Sequence, residues 1–235
     1  MRNRINTAAL AAVPVALLAV LLGLAVAGGE GHALGSYTTS LKGRSEGQLH
    51  NIRLAATGID GLVVHPGREF SFNRAVGERG YLEGYVQAPT IVEGRLQDGT
   101  GGGICQVSST LYDAVLLAGL EVVERHPHTY PVSSVPAGQD ATVVFGGPDL
   151  RFRNNTGRPV TIRAGISGER LVVRIVGDGH KPPSYRLAVE SAESTVPVRL
   201  GSGSGGMRVG TATLWREEIK NGEAVIPGGN RPAGG

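Results

Sequence analysis

The chain has 235 residues, of which 40% are hydrophobic and 18% charged, and its formal net charge is +3. That apolar content is enough to bury a core, so a wholly disordered chain is excluded, and the length suits one domain with appendages. The small net charge, without a dense Lys/Arg stripe, argues against a nucleic-acid-binding protein. The single cysteine excludes an intramolecular disulfide framework and a Cys-rich zinc module.

The N-terminal segment has the pattern of an export signal or a membrane anchor. Arg2 and Arg4 precede an uncharged apolar run from Ala8 to Ala27. Such a run is long enough to cross a hydrocarbon core of about 30 Å, and its basic flank predicts that the N-terminus lies inside. The Ala-Val-Ala sequence before Gly28 also matches a signal cleavage site. We therefore predict a signal-anchor or a signal peptide over residues 1–27. The rest of the chain is then expected at the outer face of the cytoplasmic membrane, or secreted if the segment is cleaved after Ala27.

Helical and strand patterns in the exported part predict an α+β fold. Apolar residues at helical spacing predict helices, whereas short β-branched and alternating segments predict strands. In chain order we expect a helix over 51–59, strands over 62–64, 69–73 and 86–92, a helix over 105–118, and strands over 121–125, 141–145, 150–154, 160–166 and 171–176. This order favours a single compact domain with a central buried helix packed on a mainly antiparallel sheet.

Composition divides the exported part into segments. We expect a linker over residues 28–36 and the α+β domain over residues 37–180. The run Gly201–Gly206 predicts a Gly/Ser linker inside a β-hairpin extension over 181–226, with a last turn at Asn221-Gly222. The tail over residues 227–235 is predicted to be disordered.

The helix over 105–118 has one polar arc. At about 100° per residue, Gln106, Thr110 and Asp113 share that arc, and apolar side chains cover most of the remaining surface. The helix is therefore expected to be central and largely buried.

The only cysteine of the chain opens this helix after a glycine run. Cys105 comes shortly after Gly101, Gly102 and Gly103. The free N–H groups and the dipole at a helix start stabilise a thiolate, and glycines let a substrate backbone approach closely. Gln106 would help an oxyanion hole beside these N–H groups. The alternative is that Cys105 is an inert, small apolar residue packed in the domain.

Two histidines provide a candidate base for this thiol. His126 and His128 stand at the end of a predicted strand, where side chains two residues apart point the same way. Either one would act as the base of Cys105, with Asp140 or Asp149 orienting it. The alternative is a rigid exposed turn with surface histidines. A zinc site of Cys105 and both histidines is disfavoured because no second cysteine and no HExxH motif supports it, so no metal or other cofactor is predicted.

Several motifs resemble the signature of the VanW-like family. They are HNIRLAA (His50–Ala56), PGREFSFN (Pro66–Asn73), GGGICQVSSTLY (Gly101–Tyr112), ERHPHTYPV (Glu124–Val132), DATV (Asp140–Val143) and DLRF (Asp149–Phe152). The resemblance covers about Tyr37 to Val176. The family is named after an accessory protein of vancomycin-resistance clusters, and its members are typically exported or membrane-anchored. The resemblance implies a cell-envelope role near peptidoglycan, but it implies no particular reaction.

Two functions fit these observations. The first is an extracytoplasmic thiol enzyme acting on peptide or amide bonds of the cell wall, with Cys105 as nucleophile, His126 or His128 as base, and Asp140 as orienting group. Its substrate would be bound by Gly101, Gly102, Gly103 and Gln106. The second is a non-catalytic module that binds peptidoglycan or a glycopeptide, or scaffolds another envelope protein. The buried helix favours the second function, whereas the position of the only cysteine favours the first. Both predict peptidoglycan or its peptide stems and the cytoplasmic membrane as partners, and no nucleic acid.

Overall fold

The computed structural model describes residues 31–92, 95–130, 132–178, 184–200, 203–220 and 223–225. Its helices are α1 (Glu46–Ile59), α2 (Phe72–Val76) and α3 (Ile104–Leu117). Its strands are β1 (His32–Ser40), β2 (Val63–Val64), β3 (Glu69–Ser71), β4 (Gln87–Val92), β5 (Arg95–Thr100), β6 (Glu121–Glu124), β7 (Arg151–Arg153), β8 (Val160–Ser167), β9 (Arg170–Gly177), β10 (Ser184–Leu200), β11 (Gly203–Lys220) and β12 (Glu223–Val225). The predicted α+β class is confirmed, although the described strands form four antiparallel sheets rather than one.

The two ends of the chain contain predictions that the structure does not reach. The membrane or signal segment over 1–27 and the tail over 227–235 lie outside the described residues. No described helix combines the length and the apolar character needed to cross a bilayer. Within the linker predicted over 28–36, the residues from His32 onward belong to β1, because they pair with β9 as far as Gly177.

A four-stranded sheet in the order β1-β9-β8-β2 supports the long helix α3. In β9, Leu171, Val173 and Ile175 are fully buried, as the two-residue period of a half-buried strand requires. Ile162 of β8 stands opposite Ile175 and is also fully buried. The main apolar core therefore lies between this face of the sheet and the helices that pack on it.

Helix α3 is buried on nearly every side, as predicted. Every residue from Gln106 to Val115 is buried. Gly35 of β1 allows the helix to approach the sheet closely, since a methyl group there would lie 2.4 Å from the Ala114 carbonyl oxygen. The helix ends just before Gly119, whose φ of 76° suits the residue after a helix C-terminus.

Helix α1 begins earlier than its apolar spacing predicts, because a capping box fixes its start. The Ser45 side chain accepts from Gln48 N, and the Gln48 side chain accepts from Ser45 N, at 3.2 and 3.1 Å. The core face consists of the predicted apolar positions Ile52, Ala55, Ala56 and Ile59. α1 thus packs on the same core as α3.

The strand predicted over residues 141–145 is wrong. Ala141 N donates to the Ser109 hydroxyl of α3, and Thr142 N donates to the His126 carbonyl, at 2.9 and 2.7 Å. Because a helix side chain and a loop satisfy this backbone, no strand ladder forms there. The strand predicted over 69–73 is shorter than expected, because the Ser71 side chain caps helix α2.

The strands β10, β11 and β12 form a separate antiparallel sheet. β10 pairs with β11 along its whole length, and the Gly/Ser run predicted as a linker lies partly at the start of β11. β11 and β12 form the hairpin predicted around residues 221–222, which themselves lie outside the described residues. The alternation of Tyr185, Leu187 and Val189 was the available signal for β10.

Candidate active site around Cys105

The glycine run before α3 brings backbone segments into close contact. A methyl group at Gly102 would lie 2.5 Å from the Ala88 carbonyl oxygen. Gly101 and Gly103 have φ values of 84° and 102°, which residues other than glycine rarely adopt. Gly103 is also the N-cap of α3 and makes no side-chain cap. The run therefore fixes the entry to the helix directly before Cys105.

Cys105 lies in the first turn of α3 and is a partly exposed free thiol. Its Sγ lies 3.7 Å from the Val143 carbonyl oxygen. His128 lies close enough to the thiol for the two side chains to interact and for Cys105 to raise the pKa of His128. A partly exposed cysteine at a helix start that interacts with a histidine has the environment of a nucleophile.

Asp140 holds His128 by two hydrogen bonds. Nδ1 of His128 lies 2.7 Å from Asp140 Oδ2, and the backbone N–H of His128 donates to the same oxygen. An ionised carboxylate only accepts, so Nδ1 carries a proton and Nε2 is left for Cys105. The structure thus brings together Cys105, His128 and Asp140 in the arrangement of nucleophile, base and orienting carboxylate.

Arg125 binds the second oxygen of Asp140. Its Nη2 lies 2.9 Å from Asp140 Oδ1, and its Nε donates to the Asp140 carbonyl oxygen at 2.6 Å. The guanidinium also lies over the Tyr112 ring, 5.4 Å from its centroid. Arg125 directly precedes His126, but no pattern in the sequence indicates its role. That role arises only because the folded chain brings Asp140 back beside Arg125.

Burial and hydrogen bonding set the protonation of this cluster. Burial lowers the pKa of His128, but the hydrogen bonds and charges of Asp140 and Cys105 outweigh it and raise that pKa from 6.5 to about 9. Burial raises the pKa of Asp140, but hydrogen bonds from His128 and the charge of Arg125 bring it below its usual range. At neutral pH the pair is therefore imidazolium and carboxylate, and a positive charge stands beside the thiol.

His126 and Asp149 lie outside this cluster. His126 Nε2 lies 3.0 Å from Glu124 Oε1, and the side chain is 45% exposed. Asp149 accepts from the Ser71 hydroxyl at 2.5 Å and from Asn73 N at 2.8 Å, which joins β3 to α2. β6 ends at Glu124, so the two-residue period of a strand does not extend to the histidines. In the described part of the chain no three His, Cys, Asp or Glu side chains are grouped as a metal would require.

The Gln106 side chain is engaged within the domain. Its Nε2 donates to Thr39 Oγ1 at 3.0 Å and to the Ser40 carbonyl oxygen at 2.9 Å. Its Oε1 accepts from Arg44 Nε at 2.8 Å. These bonds tie α3 to β1 and the following turn, and the substrate-binding role of Gln106 stays a prediction.

Two further titratable side chains lie near the cluster, and sequence analysis did not select them as site residues. Asp113 of α3 is fully buried, and neither carboxylate oxygen has a hydrogen-bond partner among the described residues. Burial raises its pKa to about 8, so Asp113 is mostly protonated at neutral pH. Arg79, in the loop between α2 and β4, lies close enough for its charge to interact with Cys105. The polar arc of α3 was a signal for Asp113, whereas the aperiodic loop gives none for Arg79.

The fold and the cluster define an α+β protein with a candidate Cys–His–Asp thiol site. The family model described as VanW like protein matches residues 47–176, which include all three cluster residues. The chain therefore belongs to the VanW-like family, as its motifs indicate.

Two curated relatives support this membership. The chain is 49% identical over 142 residues to the uncharacterized protein YoaR of Bacillus subtilis (strain 168). This alignment covers 60% of this chain and 47% of that protein. It is 31% identical over 148 residues to the vancomycin B-type resistance protein VanW of Enterococcus faecalis (strain ATCC 700802 / V583). That alignment covers 61% of this chain and 54% of that protein. The matched region is thus about half the length of each relative. No solved structure matches the chain.

Proposed function

We propose that this chain is a thiol-dependent acyl-transfer enzyme in which Cys105 is the nucleophile, His128 the general base and acid, and Asp140 the orienting carboxylate. The observation that carries the proposal is that His128 bonds to Asp140 and also interacts with Cys105. Cys105 comes from a helix start, whereas His128 and Asp140 both come from the long connection between β6 and β7. A partly exposed thiol, a partly buried imidazolium and a carboxylate that converge in this way are a costly arrangement for packing alone.

The reaction follows from these positions. Cys105 Sγ attacks the carbonyl carbon of an amide, and His128 holds the proton that the thiol has lost. When the tetrahedral intermediate collapses, the C–N bond breaks, the leaving amine takes the proton from His128, and a thioester remains on Cys105. Water or a second amine then attacks the thioester carbon and gives a proton to His128. The C–S bond breaks, the acyl product leaves, and Cys105 is released as a thiolate beside the imidazolium.

The start of α3 favours the charge that develops during this attack. The positive end of the helix dipole lies at Cys105, where it stabilises a thiolate and then the oxyanion of the tetrahedral intermediate. The hydrogen bond of Nδ1 to Asp140 keeps the imidazole in one orientation, and the backbone N–H bond holds the loop that carries it, so little reorganisation is needed at the moment of reaction.

The substrates that we propose are amide bonds in the peptide stems of peptidoglycan. Membership of the VanW-like family supports this, since one relative is named a vancomycin B-type resistance protein. The export or anchor signal predicted over residues 1–27 supports an extracytoplasmic location, where peptidoglycan lies. In this proposal the domain works at the outer face of the cytoplasmic membrane.

A second candidate function is peptidoglycan binding without catalysis. The packing of the glycine run favours it, because contacts within the domain are enough to explain these residues. A methyl group at Gly102 would lie 2.5 Å from the Ala88 carbonyl oxygen, and one at Gly103 would lie 3.1 Å from Ile52 Cγ1. The glycines would then form a structural joint, and Cys105 would not be needed for function.

Incubation of the full chain with peptidoglycan fragments separates the two functions. New amino groups report bond cleavage, and mass spectrometry of the quenched protein detects a thioester on Cys105. We expect Cys105→Ala and His128→Ala to lower turnover by about 10³-fold or more. His126→Ala removes the histidine outside the cluster and should retain turnover. Full turnover in Cys105→Ala would contradict the enzyme proposal, and binding without turnover in the wild type would favour the binding module.

A further inference from the structure

Arg79 has unused hydrogen-bond donors beside Cys105. Its Nη2 donates to Asn73 Oδ1 at 2.7 Å, and its guanidinium carbon lies 5.7 Å from the centre of the Phe72 ring. Its Nε and Nη1 are shielded from solvent and have no hydrogen-bond partner in the described part of the chain. Buried donors without partners are costly. This arrangement therefore indicates a ligand that the chain itself does not supply.

The positive charge of Arg79 is also unpaired among the described residues. Asp149 is the acidic group whose charge acts on it, but the Asp149 oxygens are already engaged at the junction of β3 and α2, at 2.5 and 2.8 Å. The other titratable groups that face it are Tyr85 and Cys105. Burial lowers the pKa of Arg79, but a guanidinium stays charged in proteins. An anion is the ligand that satisfies both the charge and the donors.

Asn73 links Arg79 to the segment that contacts the thiol. Asn73, which accepts from Arg79, donates through Nδ2 to the Val144 carbonyl oxygen at 2.8 Å. The preceding residue, Val143, has its carbonyl oxygen 3.7 Å from Cys105 Sγ. The guanidinium and the thiol therefore lie in the same part of the domain, where the charge of Arg79 also interacts with Cys105.

We propose that Arg79 is a specificity-determining residue that binds a carboxylate of the substrate next to the scissile carbonyl. Guanidinium and carboxylate match in charge and in shape, and they form strong hydrogen bonds. The residue as a whole is partly exposed. In this proposal a change of rotamer of the long side chain brings the unused donors to the bound anion. The substrate class is then peptides with a free carboxylate beside the amide that Cys105 attacks. This specificity rests on the proposed acyl transfer, although anion binding itself needs no turnover.

Two alkylating reagents test anion binding without any substrate. Iodoacetate carries a carboxylate next to its reacting carbon, whereas iodoacetamide carries a neutral amide. Cys105 is the only cysteine, so alkylation of the full chain reports on it directly. We expect the ratio of the iodoacetate rate to the iodoacetamide rate to fall about tenfold in Arg79→Gln. Arg74→Gln removes an equal charge from an exposed position of α2 and should keep the wild-type ratio.

An unchanged ratio in Arg79→Gln overturns the proposal. An equal slowing of both reagents also overturns it, because Arg79 would then act on the thiolate rather than on a carboxylate. If Arg79→Gln does not fold, the proposal is tested on the wild type, by measuring whether small ligands protect Cys105 from alkylation. N-acetylalanine should slow the alkylation of Cys105 by iodoacetamide, whereas N-acetylalanine amide should not. Equal protection by both compounds, or protection by neither, contradicts the carboxylate site.

Peptide turnover separates this inference from the proposed function. The wild type should prefer a peptide with a free carboxylate over its amidated form, and Arg79→Gln should lose that preference. Absence of turnover together with the expected reagent ratio would defeat the enzyme proposal and leave the anion site. Turnover together with an unchanged ratio would defeat the anion site alone.

Discussion

His128 and Asp140 are joined at two points, because the ring Nδ1 and the backbone N–H of His128 both meet the same carboxylate oxygen of Asp140. The first contact sets the orientation of the imidazole, and the second sets the loop that carries it. The ring therefore cannot turn away from Cys105 without breaking its Nδ1 bond to Asp140. This double attachment is what makes a preorganised base out of a histidine on a loop.

Replacing Asp140 by Asn removes the charge and keeps the shape of the side chain. The pKa of His128 should fall from about 9, because Asp140 is one of the two groups that raise it. Turnover should fall by about 10³- to 10⁴-fold, since the imidazolium that forms in the reaction loses its partner. An NMR titration of the His128 ring and steady-state kinetics measure the two effects.

Asp98→Asn is the matched control, because Asp98 is an exposed aspartate of β5. It should change neither the pKa of His128 nor turnover. A His128 pKa that remains near 9 in Asp140→Asn would contradict the role given to Asp140.

The domain should become less stable as pH rises, because buried Asp113 is costly to ionise in the folded chain. Burial raises its pKa from 3.8 to about 8, so the folded chain holds a proton that the unfolded chain releases across this range. Its stabilising contribution is complete below the unfolded pKa and is lost as pH rises through the folded one, by at most about 1.4 kcal/mol per pH unit. Asp113→Asn should flatten this decline and raise the free energy of unfolding at pH 8 relative to the wild type. Urea unfolding between pH 5 and pH 8 measures both curves.

His128 contributes a decline of the same sign at higher pH. Its pKa is raised, so its contribution is present below pH 6.5 and is lost as pH rises through about 9. Asp113→Asn should leave this second decline in place. A wild-type domain that becomes more stable between pH 5 and pH 8 would contradict the protonation of Asp113.

Gly102 is the most crowded position of the glycine run. A methyl group there would lie 2.5 and 2.7 Å from two carbonyl oxygens, so Gly102→Ala should lower the free energy of unfolding by about 1–3 kcal/mol or more. Gly157→Ala is the matched control, because a methyl group there meets nothing within 4 Å, and it should change stability by less than about 0.5 kcal/mol. Urea unfolding of the two variants measures the difference, and equal stability of both would show that the run is not tightly packed.

Much of the fold was predictable from local periodicity. Helix α3 and the paired strands β8 and β9 lie within one or two residues of their predicted bounds, because their apolar spacing reflects burial directly. Residues 141–145 have the composition of a strand but form none, because the Ser109 hydroxyl satisfies the backbone at Ala141. Strand formation depends on a neighbouring strand, and the neighbours of a segment are set by the tertiary structure rather than by local sequence.

The candidate site was predictable as residue types but not as geometry. The sequence names Cys105 and Asp140 but does not choose between His126 and His128, since that choice depends on where β6 ends. Arg79 lies in an aperiodic loop, and its unpaired charge is visible only once the chain is folded around it.

The rate at which iodoacetamide alkylates Cys105 at neutral pH tests the central claim most directly. The reagent is uncharged, and the measurement compares the wild-type chain with His128→Ala and His126→Ala. Because His128 supplies the positive charge beside the thiol, His128→Ala should slow alkylation of the folded chain by about tenfold or more, and His126→Ala should not. Equal rates in all three chains, or alkylation only after unfolding, would contradict a Cys105–His128 pair.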